Sequence, residues 1–113
     1  TLRDLRANRD GCLAAYQIFR PWLLARGKSE LDAQVQAGFD RLKVSYDAVQ
    51  GDAIPRPPQG WSSLEPKPEQ MTSPFGKLFQ VVRRETDDQQ PSSLSASLMG
   101  VADALSLPKA VLR

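Results

Sequence analysis

The side chains of this chain that could do chemistry are mainly carboxylates. The sequence has 113 residues, of which 13 are acidic, none is histidine and one is a cysteine, Cys12. Without histidine the chain lacks the commonest transition-metal ligand and the commonest general base. Any metal or acid–base site that it builds alone must therefore use its acids. The candidate acids are Asp4, Asp10, Asp32, Asp40, Asp47, Glu85, Asp87, Asp88 and Asp103.

Most of these acids have a structural interpretation, and Asp10 is the exception. Asp32 falls in the first turn of a predicted helix, where an acid favours the helix dipole. Asp10 instead stands next to Gly11, at the edge of a face on which we expect another element to dock. Two interpretations stay open for it. Asp10 is either an accessory metal-binding acid or the partner of Arg6, four residues earlier, in a surface ion pair worth a few tenths of a kcal/mol.

The motifs that would indicate an enzyme are missing from the sequence. It has no glycine-rich phosphate loop, paired-cysteine zinc site, Ser/His/Asp arrangement or His-Glu-x-x-His helix. Its 15 basic residues are spread out and leave a formal charge of +2, which indicates no nucleic-acid surface. No apolar run approaches the roughly 20 residues of a transmembrane segment. By itself, the chain is therefore not predicted to be an enzyme, a nucleic-acid-binding protein or a membrane-spanning protein.

The first predicted helix, residues 2–26, is apolar on two opposite sides. One side carries large residues, and we expect Cys12 to be buried there as a small hydrophobe. The large-residue side is Leu2, Leu5, Cys12, Leu13, Tyr16, Phe19 and Leu23, and the small-residue side is Ala7, Gly11, Ala14 and Ile18. One apolar side is enough to bury a helix against its own core, and a glycine inside a helix costs about 1 kcal/mol relative to alanine. The small-residue side is therefore predicted to be an interface.

Arg9 falls near the centre of the large-residue side, which is an unusual place for a guanidinium. We expect it either to extend its charged end into water at the end of the bundle or to pair with a buried acid.

Three further helices follow from caps and helical spacing. Ser29 and Asp32 resemble a capping box that opens a helix over residues 30–49. Ser73 followed by Pro74 begins a helix over residues 74–85. Ser92 or Ser93 caps a fourth helix, residues 93–107, which Pro108 ends. The predicted core positions of these helices are Leu31, Val35, Phe39, Leu42, Tyr46 and Val49; Phe75, Leu78, Phe79 and Val82; and Leu94, Leu98, Val101 and Leu105.

Residues 51–73 differ from the helices in composition. Five prolines lie among polar residues there: Pro55, Pro57, Pro58, Pro66 and Pro68. We expect an extended segment that Trp61 pins to the bundle surface, with a polyproline-type ligand at residues 55–58 as the alternative. The predicted fold is thus a single all-α domain over residues 1–113, an antiparallel up-down four-helix bundle with a long Pro-rich loop between helices two and three.

The first eleven residues resemble a segment of the imelysin family, and in particular its EfeO-like periplasmic iron-uptake members. There a Leu-x-x-(aromatic or Leu)-x-Ala-Asn-x-(acid)-Gly pattern opens a long helix, and this chain has Ala7-Asn8-Arg9-Asp10-Gly11. The similarity continues at Arg20-Pro21 and over residues 31–35 and 39–42. It covers residues 1–49 well and residues 92–108 loosely.

The resemblance implies that the chain is the C-terminal half of a domain made of two packed helical bundles. The family's His-x-x-Glu metal motif belongs to the other half, and relatives usually carry glutamate where this chain has Asp10. The sequence begins with Thr1, so we expect that a preceding part, with any targeting signal, was removed or left out. Ala7, Gly11, Ala14 and Ile18 would then meet that N-terminal half.

The functional expectation is therefore a periplasmic or cell-envelope protein that takes part in binding iron or another divalent metal for uptake. Its expected partners are its own N-terminal half and an iron permease, and carboxylate-rich sites of this kind suit hard ions such as ferric iron. Two alternatives remain. One is the non-catalytic part of an imelysin-type metallopeptidase, and the other is a helical module that binds a separate protein.

Overall fold

Four α-helices make up the computed structural model, which describes residues 1–106. They are α1 (Leu2–Ala25), α2 (Ser29–Asp47), α3 (Pro74–Thr86) and α4 (Leu94–Ala104), with a short 3-10 helix at Pro68–Gln70. No strand is present in residues 1–106. Helix α2 packs against each of the other three, and α3 also packs against α4. The predicted all-α, four-helix fold is confirmed, with α2 at its centre.

The helix ends follow the predicted caps at α3 and α4. Ser73 Oγ accepts a hydrogen bond from the Gly76 backbone N–H at 3.0 Å, and Pro74 follows as the first helical residue. Ser93 Oγ caps α4 by accepting from the Ala96 N–H at 3.0 Å. Helix α4 ends at Ala104, and Ser106 has a left-handed backbone (φ 54°), which cannot continue a helix. The predicted end at residue 107 and the stop at Pro108 lie outside the described residues.

The start of α2 differs from the prediction. Ser29 is already the first helical residue, and Lys28 stands at the cap without a side-chain hydrogen bond. Asp32 does not close a capping box, because its carboxylate faces α1 instead. It is buried and accepts hydrogen bonds from Tyr16 Oη at 2.6 Å and from Arg20 Nε at 3.0 Å. The predicted capping box is wrong because a tertiary partner competes for the same carboxylate.

The hydrophobic core lies along α2 and confirms most of the predicted positions. Its buried members are Leu2, Tyr16, Leu23, Val35, Phe39, Leu42, Tyr46, Leu78, Leu94, Val101 and Leu105. The prediction for Cys12 is wrong, since its thiol side chain is exposed. The main packing partner of α1 is α2 alone, so the flanks of α1 beside that contact stay in water.

A buried glutamate joins three helices. The Glu85 side chain is about 1% exposed, and it accepts hydrogen bonds from Arg41 at 2.7 and 2.9 Å and from Arg84 at 2.9 Å. It also accepts from the Leu94 backbone N–H at 2.8 Å, at the start of α4. Burial alone would raise the pKa of Glu85, but these hydrogen bonds outweigh it and hold the pKa below its usual value. The carboxylate therefore stays charged and connects α2, α3 and α4.

The segment between α2 and α3 is attached to the helices at several points. The Trp61 ring packs edge-on against Phe75 and Phe79, with ring centroids 4.9 and 5.0 Å apart. Phe75 and Phe79, predicted as core residues, are only half-buried because they face Trp61 rather than the other helices. Gln70 is buried and donates from Nε2 to the Gln59 carbonyl at 3.1 Å.

Arg6 fastens the start of α1 to the end of α2. Its guanidinium donates to the carbonyls of Tyr46, Val49 and Gly51 at 3.0 to 3.3 Å. The Tyr46 carbonyl lies in the last turn of α2, where the carbonyl groups lack a full set of partners inside the helix, and the other two lie just beyond it. Arg6 thus acts as a side-chain cap for α2.

The two buried carboxylates, Asp32 and Glu85, should make the stability of the protein depend on pH. Burial would raise the pKa of Asp32, but hydrogen bonds from Arg20 and Tyr16 hold it below its usual value. The hydrogen bonds to Glu85 lower the pKa of that carboxyl in the same way. Acids with a lowered pKa in the folded state contribute stability above their unfolded pKa, near pH 4, and lose it as the pH falls through the folded pKa. We expect the free energy of unfolding to be level from pH 7 to 5 and to fall steadily below pH 4.

Urea unfolding at pH 7, 5, 4 and 3 measures this dependence. Asp32→Asn should be less stable at pH 7 and should lose less stability than the wild type between pH 5 and 3. The exposed Asp40, which has no ion pair within residues 1–106, provides the control Asp40→Asn, expected to follow the wild type. An Asp32→Asn profile parallel to the wild type would contradict the role given to Asp32.

Candidate functional site

The small-residue side of α1 is uncovered in the structure. Ala7, Gly11, Ala14 and Ile18 are all exposed, while Tyr16 on the opposite side is buried against α2. The exposed fraction of Ile18 is 69%. A Cβ built on Gly11 would meet nothing within 4 Å. Within residues 1–106 nothing packs on this surface, which we call the outer face of α1.

Trp22 extends the outer face and was not predicted. It lies four residues after Ile18, is 56% exposed, and contacts Phe19 edge-to-face with ring centroids 5.9 Å apart. The spacing of four was the signal that could have found it, because residues at i and i+4 share a helix face. The outer face therefore changes along its length, from small residues around Gly11 to large ones at Ile18 and Trp22. A partner helix could approach closely at one end and cover apolar side chains at the other.

Asp10 lies at the edge of the outer face, and its ion pair is not the predicted one. Its side chain is 69% exposed, and Oδ1 accepts from Arg9 Nη1 at 2.9 Å. Arg6 pairs instead with Asp52 at 3.3 Å while it caps α2. The predicted Arg6–Asp10 pair is wrong because the carbonyl groups at the end of α2 offer Arg6 more acceptors.

Arg9 is the more buried member of its ion pair. Its side chain is 10% exposed, Nε donates to the Phe39 carbonyl at 3.2 Å, and the guanidinium lies 5.9 Å from the centre of the Phe39 ring. Its partner Asp10 is exposed, so the second of the two alternatives for Arg9, pairing with a buried acid, is wrong. The guanidinium lies beside the aromatic ring and reaches the surface where Asp10 stands.

The described acids do not form a metal site. In residues 1–106 no group of three or more histidine, cysteine, aspartate or glutamate side chains is placed to hold a metal ion. Asp10 instead borders a small cavity of about 100 Å³ between α1 and α2, which we call the α1–α2 cavity. Its lining residues are Arg6, Arg9, Asp10, Lys43, Tyr46 and Asp47. Three cations against two carboxylates do not favour a bound cation there.

A larger groove runs between α2 and α3, on another surface from the outer face of α1. It encloses about 740 Å³, and its apolar lining includes Val44, Ala48, Leu78 and Val81. Val44 is 70% exposed. Sequence reasoning missed this groove because it forms from the flanks of two helices, neither of which has a second apolar side.

These observations define an all-α protein with four helices whose candidate site is a helix face rather than a catalytic cluster. No helix within residues 1–106 has the length and hydropathy needed to cross a membrane. The chain matches no family model, and comparisons with curated proteins and with solved structures likewise give no match.

Proposed function

We propose that this chain is a non-catalytic docking module, the C-terminal half of an imelysin-like domain made of two helical bundles. In this proposal the complete domain takes part in binding iron or another divalent metal for uptake in the periplasm or cell envelope, together with an iron permease. The observation that carries the proposal is the exposed apolar face of α1, directly opposite the face that builds the core. A helix that is apolar on both sides is normally buried on both sides.

The proposal includes an antiparallel up-down arrangement of the four helices, as in the bundles of such a domain. Contacts between α1 and α2 support it for the first pair. Arg6, near the start of α1, bonds to Tyr46 and Val49 at the end of α2, while Arg20, near the end of α1, bonds to Asp32 near the start of α2.

In this proposal the metal ligands lie in the other bundle, not in this chain. Support comes from the lack of a metal-binding cluster in residues 1–106 and from the three cations around Asp10. Asp10 then acts at most as an accessory acid at the edge of the outer face. Titration of the complete domain with ferric iron should give the same affinity within about threefold for the wild type and Asp10→Ala, since removing an exposed, paired carboxylate has a small effect. A larger loss would make Asp10 a direct ligand.

Docking on the outer face predicts a specific effect of Ile18→Lys. The coding sequence upstream of Thr1 is first read for a His-x-x-Glu segment, and the bundle that carries this segment is co-expressed with the chain. Ile18→Lys should weaken their association more than tenfold, because a charge would be buried at the centre of the interface. It should change the free energy of unfolding of the chain by less than about 0.5 kcal/mol, since Ile18 is exposed.

The matched control is Val44→Lys, at an equally exposed position on α2. It should leave the association unchanged. Trp61→Phe leaves Trp22 as the single tryptophan, so acrylamide quenching of its fluorescence reports whether the outer face is covered. Equal effects of the two lysine variants, or undiminished quenching in the complex, would contradict docking on this face. Absence of a His-x-x-Glu segment would leave a helical interaction module whose partner is a separate protein.

A further inference from the structure

A tyrosine whose side chain makes no hydrogen bond within residues 1–106 lines the α1–α2 cavity. Tyr46 is only 5% exposed and lines this cavity, and its hydroxyl has no hydrogen-bond partner within residues 1–106. The buried side-chain polar atom without a partner in residues 1–106 is Ser97 Oγ, so the Tyr46 hydroxyl oxygen is itself accessible to water or to a ligand. Burial raises the pKa of Tyr46, although the nearby positive charge of Arg9 opposes the increase. The phenol therefore remains protonated at neutral pH and has a hydrogen to donate.

Arg9 brings a buried positive charge to the same cavity. Its side chain is nine-tenths buried, and it uses Nε for the Phe39 carbonyl and Nη1 for Asp10. A guanidinium has five N–H donors, so several remain for another acceptor. Its partner Asp10 is 69% exposed, and surface ion pairs of this kind are weak and readily exchanged. A ligand that displaces Asp10 would contact the Arg9 guanidinium, whose position is already fixed by the carbonyl and the ring of Phe39.

The charges around the cavity favour an anion. Arg6 and Lys43 line it together with Arg9, against the carboxylates of Asp10 and Asp47. Asp47 is already paired with Lys43 at 2.6 Å. Both carboxylates are exposed and can turn into water, whereas the Arg9 and Tyr46 side chains are largely buried. The fixed groups of the cavity are therefore hydrogen-bond donors.

We propose that the α1–α2 cavity is an oxyanion-binding site in which Arg9 and the Tyr46 hydroxyl donate to one carboxylate or phosphate group that displaces Asp10. Arg–oxyanion contacts with an added hydroxyl donor are among the stronger hydrogen bonds in proteins. The volume of about 100 Å³ admits a single such group. This inference is independent of the docking proposal, because it concerns the cavity between α1 and α2 rather than the outer face of α1 and needs no second bundle.

The test is a titration of the whole chain with inorganic phosphate, followed by NMR of the backbone amides and the Arg9 Nε–H. Saturable shifts are expected at Arg9 and Tyr46. Tyr46→Phe should weaken binding about tenfold, as expected for losing one hydrogen bond to a charged group. Asp10→Asn should tighten binding about threefold, because it removes the competing carboxylate. A metal site would respond to Asp10→Asn in the opposite direction when titrated with ferric iron.

A matched control and a second probe complete the experiment. Arg26→Gln removes an exposed cation at the C-terminal cap of α1 and should leave phosphate binding unchanged. Titration with acetate separates the two sources of the oxyanion, since a site meant for a partner's carboxylate should bind acetate at least as tightly as phosphate. Non-saturating shifts, or equal binding by the wild type, Tyr46→Phe and Asp10→Asn, would overturn the proposal. Because Asp10 is exposed, Asp10→Asn should fold normally. Its effect on phosphate binding therefore tests the proposal even if Tyr46→Phe unfolds.

Discussion

Glu85→Gln is expected to lower the free energy of unfolding by about 3 kcal/mol, which is the low end of what breaking a buried ion pair costs. The wild-type carboxylate accepts four hydrogen bonds, two from Arg41, one from Arg84 and one from the Leu94 backbone. A glutamine amide keeps the shape but has one acceptor oxygen, carries no charge and places an NH₂ group against cations. The effect stays at the low end because Arg41 and Arg84 are 38% and 40% exposed, so water can take over some of their hydrogen bonds.

Urea unfolding at pH 7, followed by circular dichroism, measures the loss. Glu65→Gln is the matched control, because Glu65 is exposed and makes no side-chain ion pair within residues 1–106. It should change stability by less than about 0.5 kcal/mol. If Glu85→Gln were equally silent, the connection of α2, α3 and α4 through this carboxylate would be wrong. Below pH 3 the difference between Glu85→Gln and the wild type should shrink, since protonation removes the same charge.

Gly38→Ala is expected to destabilise the protein by about 2 kcal/mol, as overpacking of a close helix contact does. Gly38 is buried where α2 meets the first residue of α4. A Cβ there would lie 2.8 Å from Leu94 Cβ and 3.0 Å from Leu94 Cα. The second of these atoms belongs to the backbone, so α4 itself would have to move. The gain of alanine over glycine in a helix offsets only part of this cost.

Gly11→Ala makes the matched comparison, because the chemical change is the same and the surroundings differ. The Cβ at Gly11 meets nothing within 4 Å, so alanine should stabilise the chain by about 1 kcal/mol through its helix propensity. The two variants should therefore differ by about 3 kcal/mol and in sign. If Gly11→Ala were destabilising, the outer face of α1 would already be in contact with something in the isolated chain. In the complex with a second bundle, the same variant should weaken docking by preventing close approach.

Local chemistry made much of the fold predictable. Ser73 with Pro74, and Ser93, form caps within three residues of the groups they bind, so the sequence contains both partners side by side. The core positions of α2 and α4 follow a helical period that a single packing direction imposes. The small residues of the outer face of α1 were likewise predicted from helical spacing. The role of this face as an interface stays a prediction.

Two of the failed expectations involve residues whose partners are distant in sequence. Asp32 looked like a local cap, but Tyr16 and Arg20 on α1 hold it. Arg6 looked like the partner of Asp10, but the end of α2, 40 residues away, takes its guanidinium. Cys12 satisfied the helical period and is exposed, since no second helix covers that flank of α1.

The sequence by itself thus determined the number of helices, most of their ends and the presence of a second apolar side on α1. These features depend on interactions within about four residues, whose free energies are set by local geometry. Only the tertiary structure decided that Glu85 joins three helices, that Arg9 and Tyr46 meet in one cavity and that a groove opens between α2 and α3. Those features depend on which helix flanks face each other, and that is fixed by the packing of whole helices rather than by any local pattern.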